Sequence, residues 1–271
     1  MLRLGLAALV ILPLAGCFQA STVIRVKADG SGTIEQRLLV TEQALDQLRA
    51  FAILGGGNAG NSDPTSEAQA RALAATIGPG VVYVSSTPIT AGKSQGREAL
   101  YTFADVSQLR ISEQPSIPGA ASLKAQGVNT NSDPITFSLT RKPESTPGTP
   151  GTVVLRILVP RPSLFPTGAN GELMPPSVDQ INMVKQLLAG ARVTVVLEPA
   201  GRVVQTSSPF VDGNRVTLID LDIDRAAADP DLVKKLQSPK TAEESKAAIN
   251  SVPGLKITLD PEISIEFVPT P

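Results

Sequence analysis

Asp220-Leu221-Asp222-Ile223-Asp224 concentrates carboxylates in one short stretch of this 271-residue chain. In a strand, a period of two puts Asp220, Asp222 and Asp224 on one face and Ile219, Leu221 and Ile223 on the other. Three carboxylates so grouped could hold Ca²⁺, a hard cation that takes oxygen ligands. A calcium loop of the EF-hand type starting at Asp220 would need glycine at position 225 and glutamate at position 231, where the chain has Arg225 and Asp231. The plainer reading is the solvated face of a half-buried strand, paired across strands with Arg25 or Lys27. Glu262 and Glu266 likewise share a face, opposite Ile263, Ile265 and Phe267, and a carboxylate pair can act as acid and base. No aromatic side chain shares their face to seat a substrate, so they too read as a solvated face.

What the chain lacks narrows its chemistry further. There is no histidine and a single cysteine, so the usual zinc, copper and haem ligand sets cannot be assembled, and neither Ser-His-Asp nor Cys-His catalysis is available. No catalytic residue, metal ligand or cofactor is assigned, and the expectation is a non-enzymatic protein. A net charge of −1 offers no basic excess for phosphates, and 3% aromatic residues with no tryptophan leave little on which bases could stack. Nucleic acid is therefore not an expected partner. Gly55-Gly56-Gly57-Asn58-Ala59-Gly60 fits G-x-G-x-x-G, but a dinucleotide site needs a strand before it and a helix starting at it. Here a predicted helix precedes and a loop composition follows. A phosphate loop ending at Gly92-Lys93 would need glycine where Thr87 stands.

The single cysteine, Cys17, follows a short apolar run. Arg3 supplies a positive start, Leu4 to Leu14 is apolar but shorter than the roughly 20 residues of a membrane span, and the small residues Ala15 and Gly16 come next. This is the layout of a secretory signal peptide. Leu14-Ala15-Gly16-Cys17 resembles the lipobox of bacterial lipoproteins. The resemblance implies cleavage between Gly16 and Cys17, a diacylglycerol on the sulfur, and a fatty acid such as palmitate on the new amino group. More than one acyl chain, at about 0.8 kcal/mol per buried CH₂, makes a lasting anchor. The membrane is thus an expected partner through Cys17. Phe18, rather than aspartate, follows the cysteine, which by the sorting rule of enterobacterial lipoproteins favours the outer membrane over the inner. The partition expected is a signal peptide over 1–16, a lipidated anchor and short tether over 17–21, and a single domain facing outside the cytoplasm over 22–271.

The elements that must position these residues follow from pattern. Alternating segments around Asp29-Gly30-Ser31-Gly32 predict a hairpin, and Pro199-Ala200-Gly201 predicts a second of the same design. Thr41 caps a predicted helix from Glu42 to about Leu54, Ser66 with Gln69 one to about Ile77, and Ser177 with Gln180 one to about Ala189. Asp229 with Pro230 opens a helix to about Leu236, and Thr241 with Glu244 another to about Val252. Strands are predicted in VVYVSS, EALYTFADV, PITFSLTRK, TVVLRILVP, RVTLIDLDI and the closing KITLDPEISIEF. Long loops fall near 55–66, 112–133, 143–151 and 160–177. The fold class expected is α+β: a largely antiparallel sheet with helices packed on one face, built from hairpin-plus-helix units.

Cys17, the early VKADGSGTIEQ, TLIDLDID and the closing VPGLKITLDPEISIEF together resemble a group of uncharacterised bacterial lipoproteins. More distantly, an anchor followed at once by a hairpin and helix is similar to the lipid-binding domain of a mycobacterial lipoprotein, a family whose trailing transmembrane helix has no counterpart here. The likeness implies an envelope lipoprotein that binds a lipid or other apolar ligand between helices and sheet. The stripes Leu45/Leu48/Ala52 and Val184/Leu187/Leu188 fit either ordinary core or the lining of an acyl-chain cavity. The alternative is a protein interaction module that docks envelope partners through a sheet edge or the Pro-rich loops.

Overall fold

The turn at Asp29 folds as its composition predicts. Gly30 takes a φ of 89°, a conformation L side chains avoid, and the Asp29 carboxylate accepts from the Ser31 amide at 2.9 Å. Strands β1 (Phe18–Val26) and β2 (Gly32–Thr41) pair antiparallel on either side of it. The computed structural model describes residues 18–46, 63–111, 133–143, 151–159, 177–187, 189–239 and 241–270. The leader with Gly16 and Cys17, the loop at 55–62 and most of the other predicted loops lie outside these residues. Residues 18–21, expected as tether, are the first part of β1.

Ten further strands follow: β3 (Val82–Ala91), β4 (Ser94–Phe103), β5 (Thr136–Lys142), β6 (Thr152–Leu158), β7 (Arg192–Pro199), β8 (Gly201–Thr206), β9 (Val211–Asp212), β10 (Arg215–Asp222), β11 (Leu255–Ile257) and β12 (Glu262–Pro269). They form two sheets. The larger runs β11-β10-β7-β1-β2-β4-β3 with β9 added to β10, and the smaller runs β5-β6-β12-β8. Every pairing is antiparallel except that of β1 with β7. Strand predominates over helix among the described residues, so the antiparallel expectation is met within a more sheet-rich architecture.

Two expectations need correction, both concerning where the chain changes sheet. Pro199-Ala200-Gly201 is not a hairpin: β7 belongs to the large sheet and β8 to the small one, where it pairs with β12. The crossing is held by the Ala200 amide donating to the Val26 carbonyl at 2.7 Å. Gly201 is required there, because an added Cβ would run into the carbonyl oxygen of Val268. The closing KITLDPEISIEF is likewise split, β11 in the large sheet and β12 in the small one.

The small sheet covers the large one. Phe137 of β5, Leu155 and Ile157 of β6, and Ile263, Ile265 and Phe267 of β12 share a buried cluster with Ile24, Ile34, Tyr101, Leu197 and Leu218 of the large sheet. Alternation in these segments is strong enough to build a second apolar face. A single sheet roofed only by helices is therefore not what forms. The helix Glu67–Ile77 inserts Ala70, Ala74 and Ile77 into the same core. Near β11 a separate cluster joins Ile181, Ala226, Leu232, Ile249 and Val252 with Leu255 and Ile257, drawing on the helices Val178–Leu187, Ile223–Ala227, Leu232–Gln237 and Ala242–Asn250. Residues 42–46 are helical, and Leu45 is buried with Val40 and Ala44 against Phe18 and Leu38. Leu48 and Ala52 lie outside the described residues.

Candidate functional site

The acidic strand does not assemble the face its alternation predicts. Strand β10 ends at Asp222, whose carboxylate caps the next helix by accepting from the Arg225 amide at 3.0 Å. Asp224 lies inside that helix and accepts from the Gly190 amide at 2.6 Å. Asp220 stays on the strand, accepts from the Thr194 hydroxyl at 3.2 Å, and has the Arg192 guanidinium at 3.8 Å. Each carboxylate thus meets a different donor. Among the described residues no group of three His, Cys, Asp or Glu is placed to hold a metal ion.

Arg25 and Lys27 are not the partners of these aspartates, because β10 lies between β7 and β11 while Arg25 belongs to β1. Arg25 instead reaches Glu35 of β2 at 2.8 Å and Glu198 of β7 at 3.0 Å, and Glu198 also holds Arg215 of β10 at 3.0 Å. Charges therefore alternate in sign across four neighbouring strands. The hydrogen bond to Glu35, followed by the pull of Glu198, raises the Arg25 pKa above its ordinary value.

Glu262 and Glu266 do lie on the same strand, and each carries its own cation. Arg156 reaches Glu262 at 3.2 Å, while Lys142 and the Thr152 hydroxyl both reach Glu266 at 2.6 Å. The hydrogen bond from Lys142 holds the Glu266 carboxyl below the usual range. A general acid needs a shift in the opposite direction.

The strand VYVSSTPITA, of which only the part within VVYVSS is predicted as a strand from sequence, has the more distinctive surroundings. Strand β3 ends the large sheet and, among the described residues, pairs with β4 alone. Val82 is 59% exposed and Val84 50% exposed, and the strand contains no Asp, Glu, Lys or Arg. The register steps from Tyr83 opposite Tyr101 to Ser85 opposite Leu100, which leaves Val84 as the extra residue of a bulge. Pro88 has no N–H to offer, and proline in a sheet is confined to edge positions. Bulge and proline are the usual devices by which an edge limits how far another strand can add.

Behind this edge the two tyrosines of the chain meet. The Tyr83 ring stands edge-on to Tyr101, with centroids 6.0 Å apart and planes at 71°, and the Arg71 guanidinium lies 4.4 Å above the centre of Tyr83. The Tyr83 hydroxyl is 2.7 Å from that of Ser86, which also accepts from Arg97 at 2.8 Å. Arg97 donates in addition to the Thr65 carbonyl at 2.8 Å, one residue before the Ser66 cap of the helix Glu67–Ile77. The Arg71 hydrogen bonds hold Glu67 below the usual carboxylate range, and burial pushes the Tyr101 phenol up to about 12. The edge is thus fixed from behind by aromatic and charged contacts while its outer side chains face solvent. Its sequence signal is a ten-residue strand without a charged side chain but with an internal proline.

An open hollow of about 650 Å³ lies between the two sheets' ends, bordered by Gly201, Arg202, Val203, Asn214 and Thr270. It is separate from the space between the sheets, where Leu155, Ile157, Leu197, Leu218, Ile263 and Phe267 are fully buried.

No protein-family model matches this chain, and no curated protein does. Among solved structures it is similar to the folded domain of the LppM protein of Mycobacterium tuberculosis, determined by NMR, at 11% identity and a TM-score of 0.34 over 98% of this chain and 97% of that one. The likeness is distant, and overlap at this level does not define a shared fold. No helix among the described residues is long and apolar enough to cross a membrane.

Proposed function

We propose that this chain is a non-enzymatic lipoprotein of the bacterial cell envelope, anchored through Cys17, whose β3 edge docks a partner protein through its exposed valine side chains. The observation that carries the docking role is the pairing of an uncharged edge bearing exposed Val82 and Val84 with the rigid Tyr83, Arg71 and Arg97 support behind it. The partner is an envelope protein, on the outer membrane where there are two membranes.

The reading in which an apolar ligand lies between helices and sheet draws less support, because Ala70, Ala74 and Ile77 of one helix and Ile181, Ala226, Leu232 and Ile249 of the others are already buried there against strand side chains. A catalytic role draws less still. Asp220, Asp222, Asp224, Glu262 and Glu266 are each engaged by separate donors.

A photo-crosslinking amino acid in place of Val82, in cells making the full chain, tests the docking role. The expected result is a protein adduct of defined mass that Asp212, carrying the same probe, does not give and that Val84→Lys abolishes. Stoichiometric lipid extracted from the purified protein, with no adduct at Val82, would contradict it.

A further inference from the structure

We infer that the end of the large sheet holding Phe18, the Gly92-Lys93 turn and Arg192 lies against the lipid bilayer, so that the opposite end, with Val82 and Asp212, points away from it. This rests on the reading of Cys17 as the lipid anchor. Phe18 is both the residue after that cysteine and the first residue of β1, so the joint between anchor and sheet is a single peptide unit, about 3.8 Å between Cα atoms. A tether of that length has no slack.

The register shows what else sits at this end. Phe18 lies opposite Val40, Thr41 opposite Ser94, Gln19 beside Arg192, and Arg192 opposite Asp222. Because β1 is interior to the sheet, with β2, β4 and β3 on one side and β7, β10 and β11 on the other, the anchor emerges from the middle of the end rather than from a corner. A bilayer within reach of Cys17 therefore meets the Gly92-Lys93 turn on one side and, on the other, the segment before Arg192 with the helix Ile223–Ala227.

Lying flat on the outer face of the sheet is disfavoured by the charges there. Arg25, Glu35, Glu198 and Arg215 form a continuous row that a bilayer would have to desolvate. The other face is covered by the small sheet. With the sheet standing on its end, the nine residues of β1 at about 3.3 Å each lift the far turns roughly 30 Å from the anchor. Strand β3 runs opposite to β1, so that Ala91 is near the membrane and Val82 far from it.

The test uses mature full-length protein purified from membranes and reconstituted in phosphatidylethanolamine and phosphatidylglycerol vesicles carrying a headgroup nitroxide. Lys93→Cys and Asp212→Cys, both exposed positions, are each labelled with a thiol-reactive fluorophore. Protein without an introduced cysteine should take up no label, because the Cys17 sulfur is blocked. Quenching should then be several-fold stronger at position 93 than at position 212. Equal or reversed quenching with Cys17 blocked overturns the orientation alone. Label appearing at Cys17 itself overturns the anchor and the orientation together.

Discussion

Tyr101 donates its hydroxyl to the carbonyl of Ala70 at 2.9 Å, which ties the last part of β4 to the helix Glu67–Ile77 inside the core. Replacing Tyr101 with Phe removes that bond and little else. The expected loss is about 1 kcal/mol, read from the urea unfolding midpoint at neutral pH. The phenol is held up to about 12 against an ordinary 10.0 by burial. The folded state thus keeps its proton where the unfolded chain gives it up, so stability falls as pH rises from 10 to 12. Tyr101→Phe should flatten that decline, and an unchanged alkaline limb would remove the phenol as its source.

A second titration works at the acid end. The Asp229 carboxylate is almost buried, its side chain 6% exposed, and accepts from Lys235 at 2.7 Å and from the Asp231 amide at 3.0 Å. The hydrogen bond from Lys235, more than the one from the Asp231 amide, lowers its pKa from 3.8. A carboxyl with a lowered folded pKa contributes stability that is present above the unfolded value and lost as pH falls through the folded one. Asp229→Asn should therefore shrink the loss of stability below about pH 4 in acid titrations followed by circular dichroism.

Gly96 tests the packing of β4 against β2. It faces the Leu38 backbone so closely that an added Cβ would run into the Leu38 carbonyl oxygen. Backbone in the middle of a sheet cannot step aside as a flexible side chain can. Gly96→Ala should cost at least about 2 kcal/mol by thermal or urea unfolding. A neutral result would mean that β2 and β4 are not in this register.

Local signals were legible in the residues and distant ones were not. Ser66 and Thr241 cap the helices expected of them, accepting from the Gln69 amide at 3.2 Å and the Glu244 amide at 3.1 Å, because capping depends on residues three apart. The helix expected to open at Asp229 begins instead at Leu232, although the Asp229 carboxylate still accepts from the Asp231 amide as a cap would. The hairpin β5–β6 also follows from its own alternation. The parallel contact of β1 with β7 is different in kind. Arg25 and Glu198 are 173 positions apart, and nothing in either segment marks the other. The change of sheet at Ala200 was hidden for a related reason: proline and glycine announce a turn but not which sheet the chain enters next. Asp224 was misplaced because the alternation in Asp220 to Asp224 continues through the point where Asp222 caps a helix. The β3 edge left a compositional trace, but its meaning depends on β3 being last in the sheet, which only the assembled topology shows.

Intact mass measurement of the protein extracted from its native membrane tests the anchor most directly, since compartment, orientation and docking at the membrane all depend on it. The mass predicted is that of a chain starting at Cys17 and carrying a diacylglycerol together with an amino-terminal fatty acid. A chain that keeps its leader, or one that starts at Cys17 with a free thiol, would contradict it.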